Sequence, residues 1–203
     1  IGYFALSTST DVDRVVAIGT EAMEAGNVTS DADGTIAIGS KALQALVSGI
    51  GNTAVGFEAL KAEDDGDLNT AIGYQALTAQ TGTSGTVGNT AVGYKALDEI
   101  LTGGFNVAIG RDALGNCDGA ESENTAIGDR AGLNIDNGAN NVLIGSNAQP
   151  STAAASNQIV LGKDATGVAN NSVTLGNASV TAVYMAQDSG ATVHAASLLT
   201  SGN

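Results

Sequence analysis

The nine residues "NTAIGYQAL" at Asn69 to Leu77 return almost unchanged as "NTAVGYKAL" at Asn89 to Leu97, and the glycine inside the phrase recurs along the whole chain. Equivalent glycines stand at Gly2, Gly19, Gly39, Gly56, Gly73, Gly93, Gly110, Gly128, Gly145, Gly162 and Gly176, separated by 17, 20, 17, 17, 20, 17, 18, 17, 17 and 14 residues. The phrase keeps its length and only the insert between phrases stretches. This combination predicts an all-β solenoid of eleven units, each phrase building the same part of its coil.

The columns of that alignment carry the secondary structure. The position before glycine holds Ile1, Ile18, Ile38, Val55, Ile72, Val92, Ile109, Ile127, Ile144, Leu161 and Leu175, mostly β-branched, which predicts a strand. Two residues earlier, on the same face, stand Val16, Ile36, Thr53, Thr70, Thr90, Val107, Thr125, Val142, Ile159 and Val173, so this face is expected to be buried. Between them, facing the other way, lie Ala17, Ala37, Ala54, Ala71, Ala91, Ala108 and Ala126, then Leu143, Val160 and Thr174. A strand that is apolar on both faces needs cover on both, and the lumen of a thin coil covers one. The pattern therefore predicts an oligomer. The competing expectation is a monomer whose inserts cap the second face, and polar, uneven inserts disfavour it.

Asn52, Asn69, Asn89, Asn106, Asn124 and Asn141 precede the glycine by four positions. Asn tolerates left-handed backbone and bonds nearby main chain, so these six are expected to turn the chain before the strand and to stack as an amide ladder. Gly56, Gly73, Gly93, Gly110, Gly128 and Gly145 are expected to make the sharp exit after it, and the Ala three residues later to return to the core. Whether "YQAL" is a second short strand or one helical turn stays open, because its period fits either.

Small and β-branched residues dominate a hydrophobic fraction of 43%, with 3% aromatic residues and no Trp, a stock suited to a stack of thin coils. At about 4.8 Å per coil the stack is a rod on the order of 50 Å long. The formal charge of −14, with seven cations scattered over 203 residues, argues against a nucleic-acid partner. Two places after the glycine, Glu21, Lys41, Glu58, Gln75, Lys95, Asp112, Arg130, Asn147 and Asp164 avoid like-charge neighbours, which favours correct register of the coils. One cysteine, Cys117, excludes an intrachain disulfide framework, and no transmembrane run occurs.

Catalytic stock is thin. A single histidine, His194, and a single cysteine supply no triad and no metal-ligand cluster, so neither catalysis, cofactor nor metal is expected. The acidic runs "DADG" at Asp31 to Gly34 and "EDDGD" at Glu63 to Asp67 match no calcium loop and are expected to be solvated inserts. No phosphate-binding glycine motif is present. Phe57, Tyr74 and Tyr94 share one column in three consecutive coils and predict an aromatic ladder. Exposed, it holds a sugar ring; packed, it joins coils or chains. The threonines Thr53, Thr70, Thr90 and Thr125 lack the paired array of an ice-binding face.

The phrase "NxAIGxxA" resembles the repeats of YadA-like heads in trimeric autotransporter adhesins and, equally, those of phage tail fibres, over residues 1 to about 180. The resemblance implies a left-handed parallel β-roll assembled as a parallel homotrimer over residues 1–178. It further implies an extracellular place, on a bacterial surface or a virion tail, and a non-enzymatic part in attachment to a cell-surface glycan or protein receptor, without insertion into a membrane. The alternative within this class is an architectural filament whose partner is itself alone. Residues 179–203 break the period and resemble the neck that precedes an endosialidase-type intramolecular chaperone in such fibres.

Overall fold

The computed structural model describes residues 1–7, 14–24, 28–29, 32–81 and 85–183. Its main sheet is parallel and built from one short strand per phrase: β1 Val16–Ile18, β2 Ile36–Ile38, β3 Thr53–Val55, β5 Thr70–Ile72, β7 Thr90–Val92, β8 Val107–Ile109, β9 Thr125–Ile127, β10 Val142–Ile144, β11 Gln158–Leu161 and β12 Ser172–Leu175. Two insert strands, β4 Gly66–Asp67 and β6 Gly85–Thr86, pair in parallel as a separate small sheet. The ten main strands stack in chain order, so the chain is a β-solenoid of about nine turns. Register follows the phrase: Ala54 pairs with Ala71, Ala71 with Ala91, and Ala91 with Ala108.

Backbone amides repeat the same bond up the stack, as in Thr53 N donating to Asn69 O at 2.8 Å and Gly73 N to Val55 O at 2.8 Å. Glycine is required at the exit for two reasons. At Gly56 φ is 144°, and a Cβ there would lie 2.1 Å from the carbonyl oxygen of Gly73, a backbone atom that cannot move aside.

The "YQAL" segment is neither a strand nor a helix. Gln75 and Leu77 take φ of 54° and 53°, while Gln75 N donates to Phe57 O and Leu77 N to Ala96 O in the neighbouring coils. Successive residues of a regular strand face opposite ways. The left-handed leucine breaks that alternation and turns both Ala76 and Leu77 into the core, where each is 0% exposed. A left-handed conformation costs a leucine about 1–2 kcal/mol, and burying the side chain offsets it by about 1.5–3 kcal/mol.

The alanines of the strands and the Ala-Leu pairs of these turns face each other across a narrow lumen and form the core. Its two walls trade volume. The leucine column ends at Leu114 and continues as Gly132, and in the next coil the alanine wall switches to Leu143. A Cβ on Gly132 would sit 3.0 Å from Leu143 Cδ1, so the larger residue fills the space that the missing side chain leaves.

Opposite the expectation of burial, the second strand face lies open: Val16, Ile18, Ile38, Ile72, Ile109, Ile127, Ile144, Ile159, Val173 and Leu175 are 36–61% exposed. The described inserts do not cap it. The alanine column lines the lumen. Beyond residue 183 the expected neck lies outside the described residues.

The six asparagines are fully buried and stacked. Asn69 N donates to Asn52 Oδ1, Asn89 N to Asn69 Oδ1 and Asn106 N to Asn89 Oδ1, each at 2.9 Å. Asn124 N and Asn141 N continue the series at 3.0 and 3.1 Å. Five of the six Nδ2 groups, in turn, tie down an insert, as Asn89 Nδ2 does at Gly103 O, 2.7 Å away. Asn69 Nδ2 lacks a partner among the described residues. Two points depart from the sequence expectation. The left-handed residue is the one before Asn, such as Leu68, Phe105, Glu123 and Asn140, and not Asn itself. The ladder also runs further, through Thr35 below and Gln158 above, both 0% exposed.

Asn89→Ala would orphan the Asn106 N–H, the Gly103 carbonyl and the Gln80 amide oxygen that Asn89 Nδ2 also meets at 3.0 Å. At about 1–3 kcal/mol per buried orphan, the expected loss is at least about 3 kcal/mol in chemical denaturation. A loss below about 1 kcal/mol would show that the ladder does not hold the coils.

Candidate functional surface

The aromatic column forms the expected ladder. Phe57 and Tyr74 have ring centroids 5.1 Å apart with planes 19° from parallel, and Tyr74 and Tyr94 follow at 5.4 Å and 11°. The three residues remain 40, 45 and 48% exposed. Because the rings stack on one another along the rod, each covers part of its neighbour's face and turns an edge outward. A sugar ring packs on an aromatic face, so this arrangement offers saccharides little of the surface they need.

Burial alternates around the strands, so each coil presents a row of four outward residues. Leu68, Thr70, Ile72 and Tyr74 form one such row, and Phe105, Val107, Ile109 and Arg111 another. The two central columns carry no charged residue in any of the ten strands. Charge is confined to the margins and turns, where all seven cations lie beside carboxylates: Arg14 with Asp33, Lys41 with Glu21, Lys61 with Glu58, Lys95 with Asp98, Arg111 with Asp112 and Asp129, Arg130 with Asp129, and Lys163 with Asp164. Surface pairs of this kind stabilise little. They do leave no uncommitted basic patch among the described residues.

The acidic inserts are not simply solvated, which corrects the sequence expectation. Glu63 is fully buried; one carboxylate oxygen accepts from Gly66 N at 2.7 Å and Asp65 N at 3.2 Å, the other from Gln80 Nε2 at 2.7 Å. Burial pushes its carboxyl above the ordinary value of 4.5, against the opposing effect of those bonds. Glu121 has the same task, accepting from Gly119 N at 3.0 Å and Asn137 N at 2.7 Å. In the "DADG" run Ala32 is buried and Asp33 is paired. Two acidic groups, Glu63 with Asp64 and Asp65, and Asp118 with Glu121 and Asp136, bring carboxylate oxygens within 4.8 Å of one another. The glutamate of each is already engaged by backbone amides.

Sequence reading misses these glutamates because inserts of unequal length escape the alignment on the phrase. Counting seven residues past the six glycines from Gly39 to Gly128 gives Leu46, Glu63, Gln80, Ile100, Cys117 and Ile135, all 0% exposed, so over these coils the column is a second strip of core. Glu63 and Gln80 form a bonded polar couple inside it. Burial also raises the Cys117 thiol far above its ordinary value, leaving no reactive thiolate. His194 lies outside the described residues. An open groove runs beside the turns, floored by Ala45, Ala62 and Ala79 and edged by Glu24, Gln44 and Lys61. No helix among the described residues is long and apolar enough to cross a membrane.

No family model matches the chain, and no curated protein or solved structure is significantly similar to it.

Glu63 gives the surface a pH signature. A carboxyl raised in the folded state contributes stability that is complete below the unfolded value and is lost as pH rises through the raised value. Wild type should therefore lose stability relative to Glu63→Gln across a window that opens near pH 4.5 and extends upward. Melting both proteins from pH 3.5 to 7 tests this; a constant difference between them would show that Glu63 does not titrate abnormally.

Proposed function

We propose that this chain is a non-enzymatic structural segment of an extracellular fibre, assembled as a parallel homotrimer, in which the repeats supply length and stiffness and the inserts are the surface left for attachment. The observation that carries the proposal is the outward strand face: ten rows of Val, Ile, Leu and Thr in one continuous strip, uncovered by the described residues. At about 4.8 Å per row the strip is on the order of 45 Å long. A contiguous apolar surface of this kind marks a protein interface. Its central columns offer a soluble ligand no charge and no polar group beyond threonine hydroxyls.

The left-handed β-roll and the threefold symmetry come from the likeness of the "NxAIGxxA" phrase to YadA-like heads and phage fibre repeats. An eleventh coil at Gly2 is supported by Gly19 N donating to Ile1 O and Glu21 N to Tyr3 O, both at 2.9 Å. Catalysis is left out because the buried carboxylates are held by amides and the thiol is sealed. The second reading, a filament that binds only copies of itself, is favoured by one observation, the aromatic rings turned edge outward.

Sedimentation equilibrium tests the assembly. The expected mass is three times that of the chain, and Ile72→Asp with Ile109→Asp should return it to monomer or abolish solubility by placing carboxylates in the apolar strip. A folded, monodisperse wild-type monomer would overturn the proposal.

A further inference from the structure

The outward face has two margins, and over four successive rows they are built differently. The trailing margin, just after the glycines, is large in every row: Phe57, Tyr74, Tyr94 and Arg111. The leading margin, just before the asparagine column, is large only in alternate rows: Gly51, Leu68, Gly88 and Phe105. Leu68 and Phe105 are 54 and 55% exposed. Each leans over the glycine of the coil beneath. Leu68 Cδ2 comes within 2.9 Å of where a Cβ on Gly51 would be, and the Phe105 ring within 3.3 Å of that on Gly88. Two leading side chains thus cover four rows. The flanking rows are small or polar at both margins, with Gly34 and Ser40 below and Glu123 and Asp129 above.

Resting on the self-assembly proposed above, we infer that neighbouring copies meet along a seam in register row by row, in which Tyr74 of one copy packs on Leu68 of the next and Arg111 on Phe105, while Phe57 and Tyr94 close on the same two side chains from the row beneath. Rotation about an axis parallel to the rod carries a copy around that axis and not along it, so the trailing margin of one copy faces the leading margin of its neighbour within the same row. Two rows then bring large against large, and two bring large against glycine. Large residues in every row of both margins would collide; the glycines give each leaning side chain the height of two rows, about 9.6 Å. Arg111 is held by Asp112 and Asp129 through its terminal nitrogens. Those bonds lie in the guanidinium plane, which leaves its face for the Phe105 ring of the next copy. One row higher, Glu123 faces Asp129, whose carboxylate lies between Arg111 and Arg130 of its own chain, so no bare pair of like charges results.

Cysteine pairs test the seam. Within one chain, Leu68 and Tyr74 flank the whole of β5. That rise of about 10 Å exceeds the Cα reach of a disulfide, about 7 Å. Mild oxidation of Leu68→Cys with Tyr74→Cys should therefore give covalent oligomers on a non-reducing gel. The yield should exceed at least about fivefold that of Leu68→Cys with Tyr94→Cys, whose partners stand one row apart on the side away from which Leu68 leans. Phe105→Cys with Arg111→Cys repeats the test two coils further up. Cys117 is buried and contributes no background. Each single variant should stay monomeric on the gel, because like margins never meet. Sedimentation of the wild type separates assembly from seam. A folded monomer overturns both, whereas an oligomer whose same-row pairs fail to cross-link overturns the seam alone. Equal or greater cross-linking of the Leu68 and Tyr94 pair would show a shifted register, and cross-linking of a single variant would show like margins meeting in antiparallel rods; either result overturns the seam.

Discussion

Backbone lies against backbone at the glycine of every coil, and that contact sets the rest of the structure. A Cβ on Gly39, Gly56 or Gly73 would stand 2.1–2.3 Å from the carbonyl oxygen of the next glycine in the stack. No side chain fits, and the φ of 139–144° at these three residues is itself hostile to one. Fixing this point in each coil fixes the spacing of all others. Whatever lies at one position of the phrase then meets its own counterpart above and below, which is why every property of this chain comes as a column.

Columns solve the problem of a thin core. A lumen lined by alanine from the strands and leucine from the turns has no room for independent packing choices, so a change in one wall needs an answer in the other, as Gly132 and Leu143 show. The polar column works by the same logic. A buried amide is costly unless each of its groups is bonded. In the stack, Asn Oδ1 takes the amide of the next coil and Nδ2 takes an insert carbonyl, so the ladder both joins coils and anchors loops of unequal length. Glu63 and Glu121 repeat this in the inserts, where a carboxylate is the acceptor for loop amides.

The strands, their register and the positions of the asparagines and exit glycines were legible in the sequence, because the phrase has constant length and each column has one chemistry. Residues outside the phrase were not. Glu63 looked solvated inside "EDDGD", since composition says nothing of the one residue in five that points inward. The left-handed angle belongs to Leu68 or Phe105 beside each asparagine, residue types that give no warning of it. The two-sided apolar pattern correctly separated two faces, but the isoleucine face, expected to be buried, is left open by the described residues. The ring order of Phe57, Tyr74 and Tyr94 was readable, whereas their edge-outward tilt depends on backbone geometry that spacing does not encode.

Everything beyond the single chain turns on what covers the isoleucine face. Carbene footprinting of the intact protein at micromolar concentration, read residue by residue by mass spectrometry, measures this without altering a side chain. Ile72, Ile109, Ile127 and Ile144, all 36–41% exposed in one chain, should be strongly protected, while Lys163, whose side chain is 77% exposed, labels freely. Labelling of those isoleucines in proportion to their exposure in the single chain would contradict the account.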